Sequence, residues 1–257
     1  MGAYESFASV YDLFMEDVNY DEWVDYVEKI FSEFNIKPEL VCELGCGTGN
    51  IALRLAKKGY DVIGIDVSED MLSEAKLKAE KEGLDTLFLL QDMREFELYG
   101  TVNCILCLCD SLNYITEDED IKEVFRLVNN YLHPNGLFIF DLNTEYKFKN
   151  IYSYNTFSEI TDDAAYIWEN YYDEEEKINE YYLNFFVKNE NGTYDRTQEE
   201  HYERAYDLET IRRYIEESGM KFEAAYDAFT FEPARDDSER IYVVAREITK
   251  KEEIVNG

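Results

Sequence analysis

The chain reads as an α/β protein: a Rossmann-like, seven-stranded, mostly parallel sheet with helices on both faces, plus an antiparallel β insertion forming a lid. Three observations lead there. Through the first 150 residues short apolar runs alternate with amphipathic helical patterns, which implies strands joined by helical crossovers and therefore parallel pairing. Runs such as VNCILCLCD and NGLFIFDLN are almost continuously apolar, as strands covered on both sides must be. After residue 150 the texture changes to alternating, aromatic-rich stretches, AYIWENYYD, KINEYYLNFFVK and TYDRTQEEHYERAY, the pattern of antiparallel strands with one buried face.

In order along the chain, a helix is expected at 20–34, a strand at 41–44 and a helix at 49–58, stopped by Gly59. DVIGID follows as a strand ending on Asp66, then a helix capped by Ser68 and closed by Gly83. TLFLLQD, VNCILCLCD and NGLFIFDLN supply three more strands, with the helix EDEDIKEVFRLVNNYL before the last; its acidic first turn suits the helix dipole. The insertion spans 155–206 as three strands, the last two joined at NENG. DLETIRRYIEESG is a helix, and MKFEAAYDAFTF and ERIYVVARE are an antiparallel pair returning to the main sheet. Residues 1–150 and 207–248 thus form the core, 155–206 the insertion, and 249–257 a frayed tail.

The chain has 257 residues and a net charge of −32. Nucleic-acid binding needs a basic surface, and no Lys/Arg cluster stands out, so no nucleic-acid partner is expected. There is no signal-peptide pattern at MGAYESFASVYD and no apolar run long enough to span a bilayer. The five cysteines read as reduced thiols of a cytoplasmic protein. Cys104 and Cys107 fall on opposite faces of one strand, so no metal site is expected.

The stretch VCELGCGTGN, residues 41–50, carries the chemistry. Glycines at 45, 47 and 49 after a strand and before a helix let the backbone approach a ligand closely. The dinucleotide fingerprint requires glycine at position 50, which is Asn50, and no Gly-Lys-Ser/Thr follows for a phosphate loop. Asp66, at the end of the second strand, is placed to accept both hydroxyls of a ribose. Asp92 closes the third strand, where it can accept from an adenine amino group while Met93 packs on the ring.

With these residues the chain resembles the class I S-adenosylmethionine-dependent methyltransferases over nearly its whole length. Glu43, Gly45, Gly47 and Gly49 match the family's acid-x-Gly-x-Gly-x-Gly signature. The resemblance implies that this loop, with Cys46, wraps the aminocarboxypropyl end of S-adenosyl-L-methionine. Asp66 with Val67 would bind the ribose, Asp92 with Met93 would frame the adenine, and Asp110 would lie beside the sulfonium. The segment YESFASVYDLFM resembles the small-molecule subset that includes glycine and amino-sugar N-methyltransferases. It makes Tyr11, and secondarily Tyr4, a lid over the cofactor, although the spacing of Tyr4, Phe7 and Tyr11 also suits an apolar helical stripe.

The reaction expected is methyl transfer to a small-molecule acceptor, an amine nitrogen in preference to a hydroxyl. DSLNYI, residues 110–115, should border the acceptor, with Asp110 and Asn113 as catalytic candidates. It is not the Asn/Asp-Pro-Pro-aromatic motif of base-amino methyltransferases. His201, on the insertion, is the candidate base, with Arg204 as a possible clamp for a substrate carboxylate. Trp168, Tyr171 and Tyr182 read as insertion core or pocket wall, and His133 as structural. The rival readings are an RNA-modifying methyltransferase, a non-catalytic S-adenosylmethionine-binding regulator and a nicotinamide oxidoreductase. Monomer and homodimer are both compatible with the sequence.

Overall fold

The computed structural model describes residues 11, 12, 14, 15, 18–189 and 191–250. Tyr4 and Phe7 lie outside them. In chain order the elements are α1 (Tyr20–Glu33), β1 (Leu40–Leu44), α2 (Asn50–Lys57), β2 (Asp61–Asp66), α3 (Glu69–Glu82), β3 (Leu87–Leu90) and β4 (Val102–Cys107). A 3₁₀ turn (Ser111–Tyr114), α4 (Asp118–Tyr131), β5 (Leu132–Asn143), the one-turn α5 (Glu145–Lys147) and a π turn (Phe148–Tyr152) follow. Then come β6 (Thr156–Ile160), β7 (Ala164–Asp173), β8 (Ile178–Lys188), β9 (Tyr194–Arg204), α6 (Leu208–Glu217), β10 (Met220–Asp227) and β11 (Arg240–Glu247).

Seven strands form the main sheet in the order β10-β11-β5-β4-β1-β2-β3. β1 to β5 run parallel, and β11 enters antiparallel between β5 and β10. Alternation along each strand divides the core. Val41, Cys104 and Leu106 face α1, α2 and α3, while Cys42, Ile105 and Cys107 face α4 and α6. Local signals set the helix ends: Ser68 accepts from Met71 N–H to start α3, and Gly83, at φ 68°, closes it.

The second sheet is antiparallel and four-stranded, β6-β7-β8-β9, one strand more than the three expected. The extra strand is TFSEI, a five-residue edge paired only to β7. Its alternation is too short and too polar to separate from the connection that follows residue 150. The start of the tail is also held rather than frayed. Glu247 accepts from the backbone N–H of Thr249 and of Lys250, at 2.6 and 2.7 Å.

Asn113 joins the two sheets. Its amide donates to the Asn143 carbonyl at 3.0 Å and the Arg204 carbonyl at 2.8 Å, and its Oδ1 accepts from Asn143 N–H at 3.0 Å. The side chain is fully buried. Asn113 is therefore a bolt between β5, β9 and the 3₁₀ turn rather than the catalytic group expected, because every polar atom is spent on the backbone.

Gly64, in β2, tests the packing beneath the glycine loop. A Cβ there would lie 2.7 Å from the Phe88 ring and 2.9 Å from Cys46 Sγ. Gly64→Ala is expected to destabilise the protein by about 1–3 kcal/mol through overpacking, read from urea denaturation. An unchanged midpoint would show that the Phe88 ring yields freely.

Candidate active site

A cavity of about 760 Å³ opens where the carboxyl ends of β1 to β4 meet the inner face of the second sheet. Its floor is the loop after β1. Gly45 and Gly47 both hold positive φ, 69° and 51°. At Gly45 a Cβ would come within 2.6 Å of Ser111 Oγ, so that position admits no side chain without displacing the 3₁₀ turn. At Gly47 nothing stands within 4 Å of the missing Cβ, so the backbone itself is presented to the cavity. Gly49 differs from expectation. It is not among the lining residues; it precedes α2 in the left-handed region and lets Ala75 and Phe88 pack close, at 3.1 and 3.2 Å from where a Cβ would sit.

Asp66 ties this loop to β2. One carboxylate oxygen accepts from Gly47 N–H at 2.7 Å and the other from Ser68 N–H at 2.9 Å. Burial nevertheless raises its pKa from the ordinary carboxylate value. Glu43, at the end of β1, is more extreme. Burial pushes it up to about 8, against an opposing hydrogen bond from the Ala52 backbone. Its Oε2 has no partner.

A second tie comes from Asp12. It accepts from Thr48 Oγ1 at 2.7 Å, Asn50 Nδ2 at 2.9 Å and Lys78 Nζ at 2.8 Å. This brings the neighbouring Tyr11, Phe14 and Met15 onto the cavity wall. On the far side Asp92 and Met93 line the cavity with Cys46 and the 71% exposed Val67. The Asp92 carboxylate is held by Arg94, at 2.6 Å from Nη2, and Arg94 also reaches Asp120 at 3.0 Å. The Arg94 hydrogen bond lowers the Asp92 pKa.

Asp110 follows β4 in a left-handed conformation, φ 56°. It accepts from Arg240 Nη2 at 2.7 Å, and Arg240 Nη1 donates to the fully buried Asp141. Burial alone would raise Asp110; Arg240, Lys147 and a hydrogen bond with Glu203 together bring it below its ordinary value. Burial and the neighbouring Asp110 push Asp141 up to about 6, despite Arg240.

The roof is aromatic. Tyr166 and Trp168 of β7, Tyr181, Leu183 and Phe185 of β8, and Glu199 and His201 of β9 line it, on the faces that the registers bring together. His201 Nε2 pairs with Glu199 Oε2 at 3.0 Å, and its ring stacks on Tyr181 at 5.0 Å. Arg204 is absent from this wall. It donates to the Thr116 carbonyl and pairs with Asp118, each at 2.8 Å, so it braces the junction instead of clamping a substrate. Tyr171 and Tyr182 lie on the opposite face of the sheet from Trp168 and Tyr181. His133 is exposed at the start of β5. Sequence reasoning missed Asp12, Glu199, Glu203 and Arg240, and reached Tyr114 only as part of the stretch 110–115. Only Glu199 and Glu203 left a signal, since alternation places them on the same face as His201.

A methyltransferase-domain model matches residues 41–136, which run from β1 into β5. A protein of Geobacillus sp. (strain WCH70), named only as a methyltransferase, is 34% identical over 95% of this chain and 99% of its own length. A similarly named Bacillus subtilis (strain 168) protein is 35% identical over 95% of this chain and 96% of its own. The crystal structure of an S-adenosylmethionine-dependent methyltransferase from Clostridium acetobutylicum ATCC 824 superposes with TM-score 0.86 at 33% identity, covering 96% of this chain and all of that one. An amino pentose methyltransferase from Micromonospora echinaspora, bound to S-adenosylmethionine, shares the fold at TM-score 0.75 and 14% identity, over 93% of this chain and 96% of its own. The chain belongs to the S-adenosylmethionine-dependent methyltransferases. It is an enzyme whose cofactor is S-adenosyl-L-methionine.

The residues present fit that cofactor. The open backbone at Gly47 can receive an amino-acid group, the unpartnered Glu43 oxygen can meet an ammonium, and Asp66 keeps spare lone pairs for a diol. Asp66→Ala is expected to weaken S-adenosylhomocysteine binding by about 1–3 kcal/mol, measured by calorimetry. Glu43 sets a pH dependence. Below about 8 it carries a proton in the free protein, and a cationic ligand end favours the charged form. Affinity should therefore climb between pH 6 and 8 with proton release on binding, and Glu43→Gln should flatten that slope.

Proposed function

We propose that the enzyme methylates a small acceptor at an amine nitrogen, with the acceptor held between Asp110 and the second sheet. The carrying observation is the lining of that half. Tyr114, Tyr166, Trp168 and Tyr181 stand with Asp110 and Glu199 around one space. Aromatic faces and carboxylates both attract a cation. Among the described residues the lining contains one Lys or Arg side chain, Arg94, and Asp92 and Asp120 already engage it. The site thus favours an ammonium-bearing molecule and offers little to an anionic one.

The cofactor supplies an electrophilic methyl group, so the protein's task is to align the acceptor, exclude water and take one proton. Asp110, held low by Arg240 and Lys147, is suited to staying charged beside developing positive charge. The His201–Glu199 pair is positioned to orient the amine through hydrogen bonds. A nucleic-acid acceptor is disfavoured by the net charge of −32.

The test is a transfer assay with methyl-labelled S-adenosylmethionine. Glycine, glucosamine and benzylamine are set against glycolate, glucose and benzyl alcohol. Label appearing in amines and not in the matched hydroxyls is the expected result, and the reverse would sink the amine reading. Glu199→Gln is expected to raise the amine KM by the equivalent of about 1–3 kcal/mol, while S-adenosylhomocysteine affinity holds.

A further inference from the structure

Behind the acceptor wall lies a buried carboxyl that the transfer itself does not use. Glu203, on β9, is 2% exposed and is not part of the cavity lining. Its Oε1 accepts from Tyr181 Oη at 2.7 Å and its Oε2 from Asn143 Nδ2 at 3.3 Å. Tyr181 Oη in turn is hydrogen-bonded to Tyr114 Oη. Tyr181 has one hydroxyl proton and gives it to Glu203, so Tyr114 must be the donor in the Tyr114–Tyr181 pair. The chain therefore has a fixed polarity while Glu203 is charged, and Tyr114 Oη is left with its lone pairs free. Tyr114 is 42% exposed and lines the cavity.

We propose that Tyr114, Tyr181 and Glu203 form a proton relay that carries the acceptor's proton out of the cavity, with Glu203 as its terminus. The inference rests on the amine reading above. The ammonium N–H bond breaks and its electron pair stays on nitrogen. That proton goes to Tyr114 Oη as the Tyr114 proton passes to Tyr181 and the Tyr181 proton to Glu203 Oε1. Nitrogen then uses its pair to bond the methyl carbon, and the carbon–sulfur bond breaks with its pair left on sulfur. Both phenols start and end neutral. That matters because burial, with Glu203 adding to it, raises both phenols well above their ordinary pKa, so a phenolate intermediate is too costly. Tyr114 is the catalytic contact; Tyr181 and Glu203 act through it as positioning residues.

Other groups do not take this place as well. Asp110 touches the cavity, but Arg240 and Lys147 keep it a weak base. Glu203 is pushed up to about 8 by burial and by facing Asp110, against Tyr181, Asn143 and Arg240. Lys147 and Tyr152 are the other charged and titratable groups whose interaction with Glu203 is felt. Glu203 is thus uncharged below about pH 8 and able to accept a proton above it, so the relay works on the alkaline side.

Two readouts test this. The first needs no acceptor: infrared difference spectra of the S-adenosylhomocysteine complex between pH 6 and 9. A protonated-carboxyl band should vanish with rising pH in wild type, be missing in Glu203→Gln, and shift in Tyr181→Phe. No Glu203-dependent band in that range would overturn the relay whatever the acceptor is. The second is the pH profile of kcat with the best acceptor of the panel. An ascending limb near pH 8 is expected, lost in both variants, with the alkaline rate down by about 10²-fold, the usual worth of positioned proton transfer. A purely structural role would lower the rate at every pH and keep the limb, and that result would overturn the proposal. So would a limb kept in Glu203→Gln and lost in His201→Asn, which would move the proton to the His201–Glu199 pair. Methyl transfer to hydroxyls alone, with the limb still dependent on Glu203, would defeat the amine reading and leave the relay standing.

Discussion

Arg240 is the cation around which the Asp110 side of the cavity is arranged. It heads the last strand of the sheet, lies over the Trp23 ring at 5.2 Å, and bridges Asp110 after β4 and Asp141 in β5. Two carboxylates on adjacent strand ends would repel each other in so buried a place, and the guanidinium between them, with Lys147 nearby, makes the pair tolerable. Removing one partner of a buried charge set commonly costs about 3–5 kcal/mol. The antiparallel placement of β11 beside β5 is what brings Arg240 to both carboxylates.

The two halves of the cavity solve different problems. On the glycine-loop side the ligand's shape is met by backbone, and side chains mainly fix the loop: Asp66 from β2, Asp12 from the segment before α1. On the roof side the sheet presents rings from three strands and the Glu199 carboxylate. On the proposed reading, the main sheet holds the cofactor and the second sheet faces the acceptor.

How legible this was follows from the range of each interaction. The parallel core could be read because strand and helix periods are local properties, and the loop could be read because glycine spacing encodes its conformation. The roof was readable as strands and as a lid, but not which of its side chains face the cavity, since which face of β7 turns inward depends on docking. Arg204 and Arg240 show the difference. Both are arginines at strand ends next to acids, and sequence gives no reason to prefer one. Only the packing sends Arg204 to Asp118 at the junction and Arg240 to Asp110 at the site. Asn113 misled for the same reason: it sits in the right stretch, but a buried amide between two sheets is claimed by their carbonyls.

The second sheet ends in strands that pair on one side only, five-residue β6 and eleven-residue β9. An open edge as long as β9 invites a neighbouring chain to add to it. Along its exposed half the strand carries Asp195 and Glu200 with one exposed cation, Arg196, between them, so a second copy docking edge to edge would meet mostly acid, in a chain already at −32. The surplus of negative charge thus works as a guard against fibrous self-association, and screening by salt relaxes it over distances beyond roughly 10 Å at 0.1 M. Salt should therefore lower the barrier to pairing through this edge.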